Sequence, residues 1–508
     1  MPRNVLLIVI DQFRADCLDG ALAGALDLPN LRAFQKSGVT FRRHYTVTTP
    51  CGPSRASLLT GLYAMNHRSI RNGTPLAEHH PTIGTEFRKA GYEPLLYGYT
   101  DASPDPRVRH PNDPDLKTYE GVAQGFAEIV RMRQESAGPW RGYLKAKGYA
   151  LPADFFDMFR GVPRDGRNEP EITDPALYRA EDSDTAFLTD RALEDLSSRE
   201  GTPWFALLTY IRPHPPMVAP EPYNTLYAPD AMPAPDCPLP PDAQMDMHPF
   251  FRAFHAEPSN KHLFIGFDGD HAKLTDRQIA ELRAVYFGLA TEVDAHIGRV
   301  LAWLEESGQA DDTLVVITAD HGEMLGDHYL WGKNAPYEGA LNIPLVIRDP
   351  SRRAAAGTVV EAFTESVDIA PTLLDWIGQP VPPGWNGRSL LPFLEGETPT
   401  HWRGHMFAEI DIGDPVGPTR FERVFGVPAE AANYAILSDG THKYVHFNGG
   451  IAPLLFDVRH GAEGEDLAGG LKHMAELLHY SRLMLDHRMT HAHQSHARLM
   501  ITDDGIRP

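Results

Sequence analysis

Three apolar runs constrain this chain more than any other feature: NVLLIVIDQ (4–12), PWFALLTYIRPHPP (203–216) and DTLVVITADHGE (312–323). Each is apolar over most of its length and closes abruptly on polar residues. A strand that is apolar on both faces is buried on both, which is the condition of a parallel sheet covered by helices. Helical patterns lie between the runs, at 29–38, 82–92, 184–199 and 277–309. The alternation predicts an α/β fold: a central mixed, mostly parallel sheet flanked by helices on both faces. Ligands in such sheets collect beyond the carboxyl ends of the strands, where Asp11, His214, Asp320 and His321 fall.

With 508 residues, 42% of them hydrophobic, the chain can bury a sizeable core in two or three domains, or in one large α/β domain with an appendage. Its cysteines, Cys17, Cys51 and Cys237, are odd in number and far apart. No disulfide framework is expected, and at least one thiol is free or modified. The N-terminal run could pass for a secretory leader. However, VLLIVI spans only six residues before Asp11 and no small-residue cleavage site follows, so it reads as a buried first strand. No segment approaches the roughly 18 apolar residues that cross a membrane, and the expectation is a soluble, cytoplasmic protein. The formal net charge of −21 argues against a nucleic acid or a membrane as partner. An anionic substrate would have to find its positive charge inside the site.

Residues 215–270 are rich in Pro, His, Asp and Asn with weak periodicity, which suits surface loops or a lid near the site. Beyond about 375 the text changes character. NYAILSDGTHKYVHF and APLLFDV read as short antiparallel strands with an Asp-Gly turn, followed by a helix over roughly 470–488 and a histidine-rich tail. The organisation expected is a catalytic domain over 1–375 and a smaller C-terminal α+β subdomain over 376–508.

Asp11 and Gln12 end one strand, and Asp320 and His321 end another more than 300 residues later. A single aspartate at a strand end is commonly a cap or turn residue. Two such pairs offer carboxylate and amide oxygens plus an imidazole, a plausible cage for one divalent cation. A third feature, VTTPCGPSRASLLTG (47–61), sets Cys51 at the apparent start of a helix.

CGPSRASLLTG resembles the C-x-P-S-R signature of the sulfatase branch of the alkaline phosphatase superfamily, in which the cysteine is oxidised to formylglycine. The segments VLLIVIDQFRAD, CGPSRASLLTGLYAMNHRSIRNG, GYEPLLYGYTDASPDPR, IRPHPPM, TADHGEMLGDHYLWGK and FTESVDIAPTLLDWIG extend the resemblance, in order, over nearly the whole chain. It is nearest to the phosphonate monoester hydrolases and their arylsulfatase relatives, and it implies an alkaline phosphatase-like fold. It also implies a partner, a formylglycine-generating enzyme or equivalent acting on Cys51. A hydrated aldehyde offers two hydroxyls, one to attack phosphorus or sulfur and one to expel the esterified group. Arg55, one helical turn on, would face the same side and hold the nucleophile or the developing charge. Ser54 reads as a capping or motif residue.

Further roles follow from the resemblance. Asn72 would bond a nonbridging substrate oxygen, although Asn-Gly is equally a turn pair. His214, pinned between prolines, suits a fixed donor to a substrate oxygen or leaving group. Lys333 is a cation for the anionic centre, and Tyr99 a hydroxyl beside the substrate. Asp101 stands where the family pattern has threonine; ionised, it would oppose a dianion more than a monoanion. The metal set, Asp11, Gln12, Asp320 and His321 with residue 51, differs from the arylsulfatase pattern of a double aspartate and a later Asp/Asn pair, with less ligand charge and one added imidazole. That favours Mn²⁺, with Ca²⁺ or Zn²⁺ possible. His328 reads as a residue near the ligands or as a structural one, and Glu409 as a candidate contact of a neighbouring site. His67 and the histidines of 487–500 invite a metal reading, but HAHQSHA has no enclosing cysteine or carboxylate. The expected function is hydrolysis of a small anionic ester, a phosphonate monoester or phosphate diester, by a homodimer or homotetramer. Alternatives are an arylsulfatase with the same nucleophile, and a non-catalytic binding protein on the same fold.

Overall fold

The computed structural model describes residues 4–134, 137–199, 201–256, 263–461, 463–492 and 500–507. Ten strands precede residue 366: β1 (Asn4–Ile10), β2 (Val39–Phe41), β3 (His44–Tyr45), β4 (Pro94–Gly98), β5 (Ala127–Arg131), β6 (Phe205–Tyr210), β7 (Thr313–Ala319), β8 (Leu345–Arg348), β9 (Val359–Val360) and β10 (Thr364–Glu365). Eight of them form one sheet in the order β5-β4-β6-β1-β7-β8-β2-β9, while β3 and β10 pair separately. Within the large sheet only β8 is antiparallel to its neighbours, β7 and β2. The sheet is therefore the mixed, mostly parallel one expected.

The three apolar runs are its three central neighbours, with β1 paired in parallel to β6 on one side and to β7 on the other. Every residue of these strands is buried. Side chains alternate across a strand, so β1 feeds two cores. Leu6, Ile8 and Ile10 pack with side chains of the helices Asp184–Ser197 and Asp276–Glu306. Val5, Leu7 and Val9 pack with those of Cys51–Thr60, Ile83–Lys89 and Ile369–Trp376. Burial of each such side chain contributes about 1.5–3 kcal/mol.

The C-terminal strands β11 (Met406–Asp411), β12 (Asn433–Ser438), β13 (His442–Phe447) and β14 (Leu454–Asp457) form an antiparallel meander. Asp439 and Gly440 (φ +82°) turn the chain between β12 and β13. One face packs on the helix Pro249–His255. The other packs on the final helix, Met474–His491, through Tyr480 and Met484. A last hairpin, β15 (Met500–Thr502) with β16 (Gly505–Arg507), exposes Met500 and Ile501. The segment expected to be loop or lid carries two short helices, Pro241–Met247 and Pro249–His255. Of the described residues, no helix is long and apolar enough to cross a membrane.

Candidate active site

The site lies at the carboxyl ends of β1, β6 and β7, because parallel neighbours deliver the residues that follow them to one edge. Asp11 leaves β1, and Asp320 and His321 leave β7. Gln12 turns the chain at φ +63°, a left-handed conformation that costs a non-glycine residue about 1 kcal/mol and recurs at functional sites. Its N–H donates to Asp320 Oδ1 at 3.1 Å, and its carbonyl accepts from Tyr286 Oη at 2.7 Å.

Cys51 opens the helix Cys51–Thr60, which is buried along its whole length and stopped by Gly61 at φ +62°. Placed in the first turn, its side chain faces the positive end of the helix dipole, a favourable setting for an anion. The thiol is surrounded: Lys333 Nζ at 2.9 Å, His321 Nε2 at 3.3 Å and Asp11 Oδ1 at 3.9 Å from Sγ. Burial, with Asp11 alongside, pushes the thiol pKa well above its ordinary value, so this is not an activated thiolate.

Asp11, Cys51, Asp320 and His321 are buried, with ligand atoms all within 4.8 Å of one another. They form a candidate metal site. The donor set fits a divalent cation: two carboxylates and an imidazole whose tautomer is set from outside. His321 Nδ1 donates to the Gly322 carbonyl at 3.1 Å, leaving the Nε2 lone pair toward the cluster. Burial, with Lys333 nearby, holds His321 neutral.

Arg55 lies one turn beyond Cys51, as the helix period requires. Its Nε donates to Asp320 Oδ2 at 3.0 Å, and its two terminal nitrogens to the Tyr99 carbonyl at 3.1 Å and hydroxyl at 2.8 Å. The Tyr99 hydroxyl in turn donates to Asp11. Both residues therefore brace the two carboxylates. Asn72 accepts from the Gly52 N–H at 2.9 Å and lines the cavity. Ser54 Oγ is committed to the Asp320 carbonyl.

Above the cluster opens a cavity of about 250 Å³. Gln12, Asn72, His214 and Lys333 line its floor side, with Pro50, Phe156, Leu263 and Trp331 among its apolar walls. Lys333 keeps a raised pKa despite burial because Cys51, Asp11 and Asp320 surround it. His214 differs from the sequence expectation in one respect. Its Nδ1 lies 2.6 Å from the Pro215 carbonyl and must donate to it. The neutral ring then offers a lone pair at Nε2, and burial with Lys333 nearby opposes the imidazolium that a donor would need.

Asp101 needs a physical correction. It is buried at φ +51°, its Oδ1 has no hydrogen-bond partner, and burial pushes its pKa up to about 8. Burial thus favours its neutral, protonated form.

Other candidates stand apart. His328 stacks on Tyr337 with centroids 3.7 Å apart. His67 holds Ser57 and the Ser69 N–H beneath the nucleophile helix. Glu409 bonds Arg488 of the final helix and the Met65 N–H. His487 and His491 meet the Tyr63 ring edge-on, whereas His493 and His496 lie outside the described residues. Sequence reasoning passed over two buried groups. Glu323 bonds Gln12, and Arg212, paired to Asp184 at 2.9 Å, holds the carbonyls of His214 and Pro216. A lone acid in DHGE and a lone arginine in IRPHPP carry no signal without their distant partners.

Fold and site together define a metal-dependent hydrolase with a cysteine-derived nucleophile at the edge of a mostly parallel sheet. The sulfatase family profile matches residues 3–379, and the chain belongs to that family. It is 39% identical over 511 residues to the multifunctional alkaline phosphatase superfamily protein PehA of Trinickia caryophylli, covering 99% of this chain and 98% of that one. Among solved structures it is similar to the phosphonate monoester hydrolase SpPMH from Silicibacter pomeroyi, at 52% identity and TM-score 0.96, covering 99% of each chain. It is also similar to the phosphonate monoester hydrolase of Agrobacterium radiobacter, at 38% identity and TM-score 0.94, covering 100% of each chain.

Proposed function

We propose that this protein hydrolyses phosphonate monoesters and phosphate diesters, with a formylglycine made from Cys51 as nucleophile and Mn²⁺ held by Asp11, Gln12, residue 51, Asp320 and His321. The observation that carries the reading is the convergence of Lys333, His321 and Asp11 on Cys51 Sγ, the atom that marks where a hydroxyl of the converted residue would sit. Similarity to two phosphonate monoester hydrolases supports the substrate class. The bound cation would lower the pKa of that hydroxyl and polarise a substrate oxygen. Lys333 steadies the nucleophile's charge, Asn72 donates to a nonbridging oxygen, and Arg55 and Tyr99 keep Asp11 and Asp320 in register. His214, with Nδ1 committed to the Pro215 carbonyl, offers its Nε2 lone pair as a hydrogen-bond acceptor that orients the second hydroxyl. Phe156, Leu263 and Trp331 receive the organic substituent.

Cys51 is almost inaccessible in the folded chain, 3% exposed. A converting enzyme therefore reaches it before this helix packs. The final helix supports a homo-oligomer: Met474, Leu478, Leu485 and Met489, spaced by four, seven and four, are all exposed and share one face.

The deciding experiment is kcat/KM for an aryl phosphonate monoester, a phosphate diester, an aryl sulfate and a phosphate monoester, on Mn²⁺-replete protein of measured Cys51 conversion. The phosphorus monoanions are expected to lead. A preference for aryl sulfate of about tenfold, roughly 1.4 kcal/mol in transition-state stabilisation, would make the arylsulfatase reading correct.

A further inference from the structure

Gln12 sits between two partners that each bond in one direction. Lys333 Nζ has only donors and lies 2.9 Å from Gln12 Oε1. On the other side Glu323 Oε2 accepts from Gln12 Nε2, while Oε1 accepts the backbone N–H of Leu325 at 3.1 Å and that of Gly332. An amide's oxygen and nitrogen are nearly the same shape, so packing alone does not choose which end points where. A donor-only neighbour opposite an acceptor-only neighbour does. Glu323 is fully buried, and the Gln12 backbone is pinned at both its N–H and its carbonyl. The remaining freedom that matters is the amide flip.

We propose that Glu323 is a positioning residue that locks the Gln12 amide with its oxygen toward Lys333 and Cys51, and so makes Gln12 a competent ligand for the cation. This rests on the metal reading given above. A cation accepts an amide oxygen; the turned amide would aim two N–H groups at both the ammonium and the metal. The bond to the Gly332 N–H extends the same control to the loop that delivers Lys333, the next residue.

The test is Mn²⁺ binding to chelator-treated, full-length protein by titration calorimetry, in a cycle of wild type, Glu323→Gln, Gln12→Leu and the double variant. Glu323→Gln is isosteric and can still accept from Gly332 and Leu325, but its new N–H₂ group turns the Gln12 amide over. Mn²⁺ affinity should fall about tenfold to hundredfold, the usual range for changing a ligand's outer partner, with the thermal midpoint of metal-free protein unchanged. In the Gln12→Leu background the same change should have little further effect. An equal loss in both backgrounds reports lost charge alone and overturns the lock, as does unaltered affinity in Glu323→Gln. If that variant does not fold, Gln12→Glu combined with Glu323→Gln, which again sets one donor against one acceptor, must fold and bind Mn²⁺; its failure overturns the lock. Wild type that binds no Mn²⁺ sinks the metal assignment beneath it, a result distinct from a lock that fails in protein that binds.

Discussion

Arg55→Met tests whether the arginine and the cation compensate the same negative charge. The substitution keeps an apolar stem of similar length in a site where Arg55 is 3% exposed. It removes the bond to Asp320 Oδ2, the 3.5 Å approach to Asp11 and the stacking 3.9 Å over the Tyr99 ring. Asp320 keeps the N–H groups of Gln12 and His321 on its other oxygen, so it is weakened rather than abandoned. Removing one partner of a buried ion pair costs about 3–5 kcal/mol, of the same order as the net stability of many domains. Urea titration of metal-free protein should show a loss in that range. Under the proposed metal assignment, Mn²⁺ would bind the folded cluster in preference to the unfolded chain and supply the missing charge. The gap between variant and wild type should therefore narrow when both are saturated. A metal-free loss below about 1 kcal/mol, the scale of an ordinary surface change, would refute the argument, and so would a gap that Mn²⁺ leaves untouched.

Peptide mass spectrometry of active protein should find Cys51 with sulfur replaced by oxygen and two hydrogens lost, and Cys51→Ala should lose about hundredfold or more of turnover; full activity with an intact thiol would exclude the mechanism. Asp320→Ala should abolish Mn²⁺ binding and turnover together while circular dichroism stays native, and a variant that retains bound metal would misplace the cluster. Burial holds His44 and His67 near pKa 3 against an ordinary 6.5. The unfolded chain thus takes up protons that the folded chain refuses. The stability contributed is full above about pH 6.5 and is lost as pH falls toward 3, so the thermal midpoint of His67→Gln should drop less than wild type between about pH 7 and pH 4. Light scattering should report a multiple of the chain mass, and Leu478→Lys should reduce it; a wild-type monomer over a wide concentration range would remove the oligomer proposal.

The strands most legible in the sequence were β1, β6 and β7, because burial on both faces writes itself as an unbroken apolar run. β5 escaped notice: three of its five residues are only partly buried, so its run AEIVR has no such signature. β9 is two residues long, too short for any pattern. The nucleophile and the paired residues at strand ends were legible because the chemistry sits in contiguous text. Glu323 was not, since its meaning depends on an amide 311 residues away. Asp101 shows the same limit from another side. A sequence displays a carboxyl group but not the burial that decides its charge. For His214 it displays an imidazole, but not the neighbouring carbonyl that fixes its tautomer.

Those two corrections change how the site's charge must be counted. Arg55 and Lys333 offset Asp11 and Asp320, which must be ionised to hold a cation. Burial keeps His214 and His321 neutral, and it pushes the Asp101 pKa up to about 8, which opposes its carboxylate form. Gln12 contributes a dipole and no charge. Arg55, Lys333, Asp11 and Asp320 therefore balance among themselves, Glu323 behind Gln12 adds no positive charge, and the excess positive charge at residue 51 is that of the divalent ion alone. One unit is offset when the nucleophile gives up its proton, leaving at most one for the substrate. Phosphonate monoesters, phosphate diesters and sulfate monoesters each carry one negative charge, whereas a phosphate monoester carries about two near neutral pH. Exclusion of the dianion thus follows from the absence of surplus cations and does not require an ionised Asp101. In a low-dielectric cleft one uncompensated charge is enough to separate the two classes.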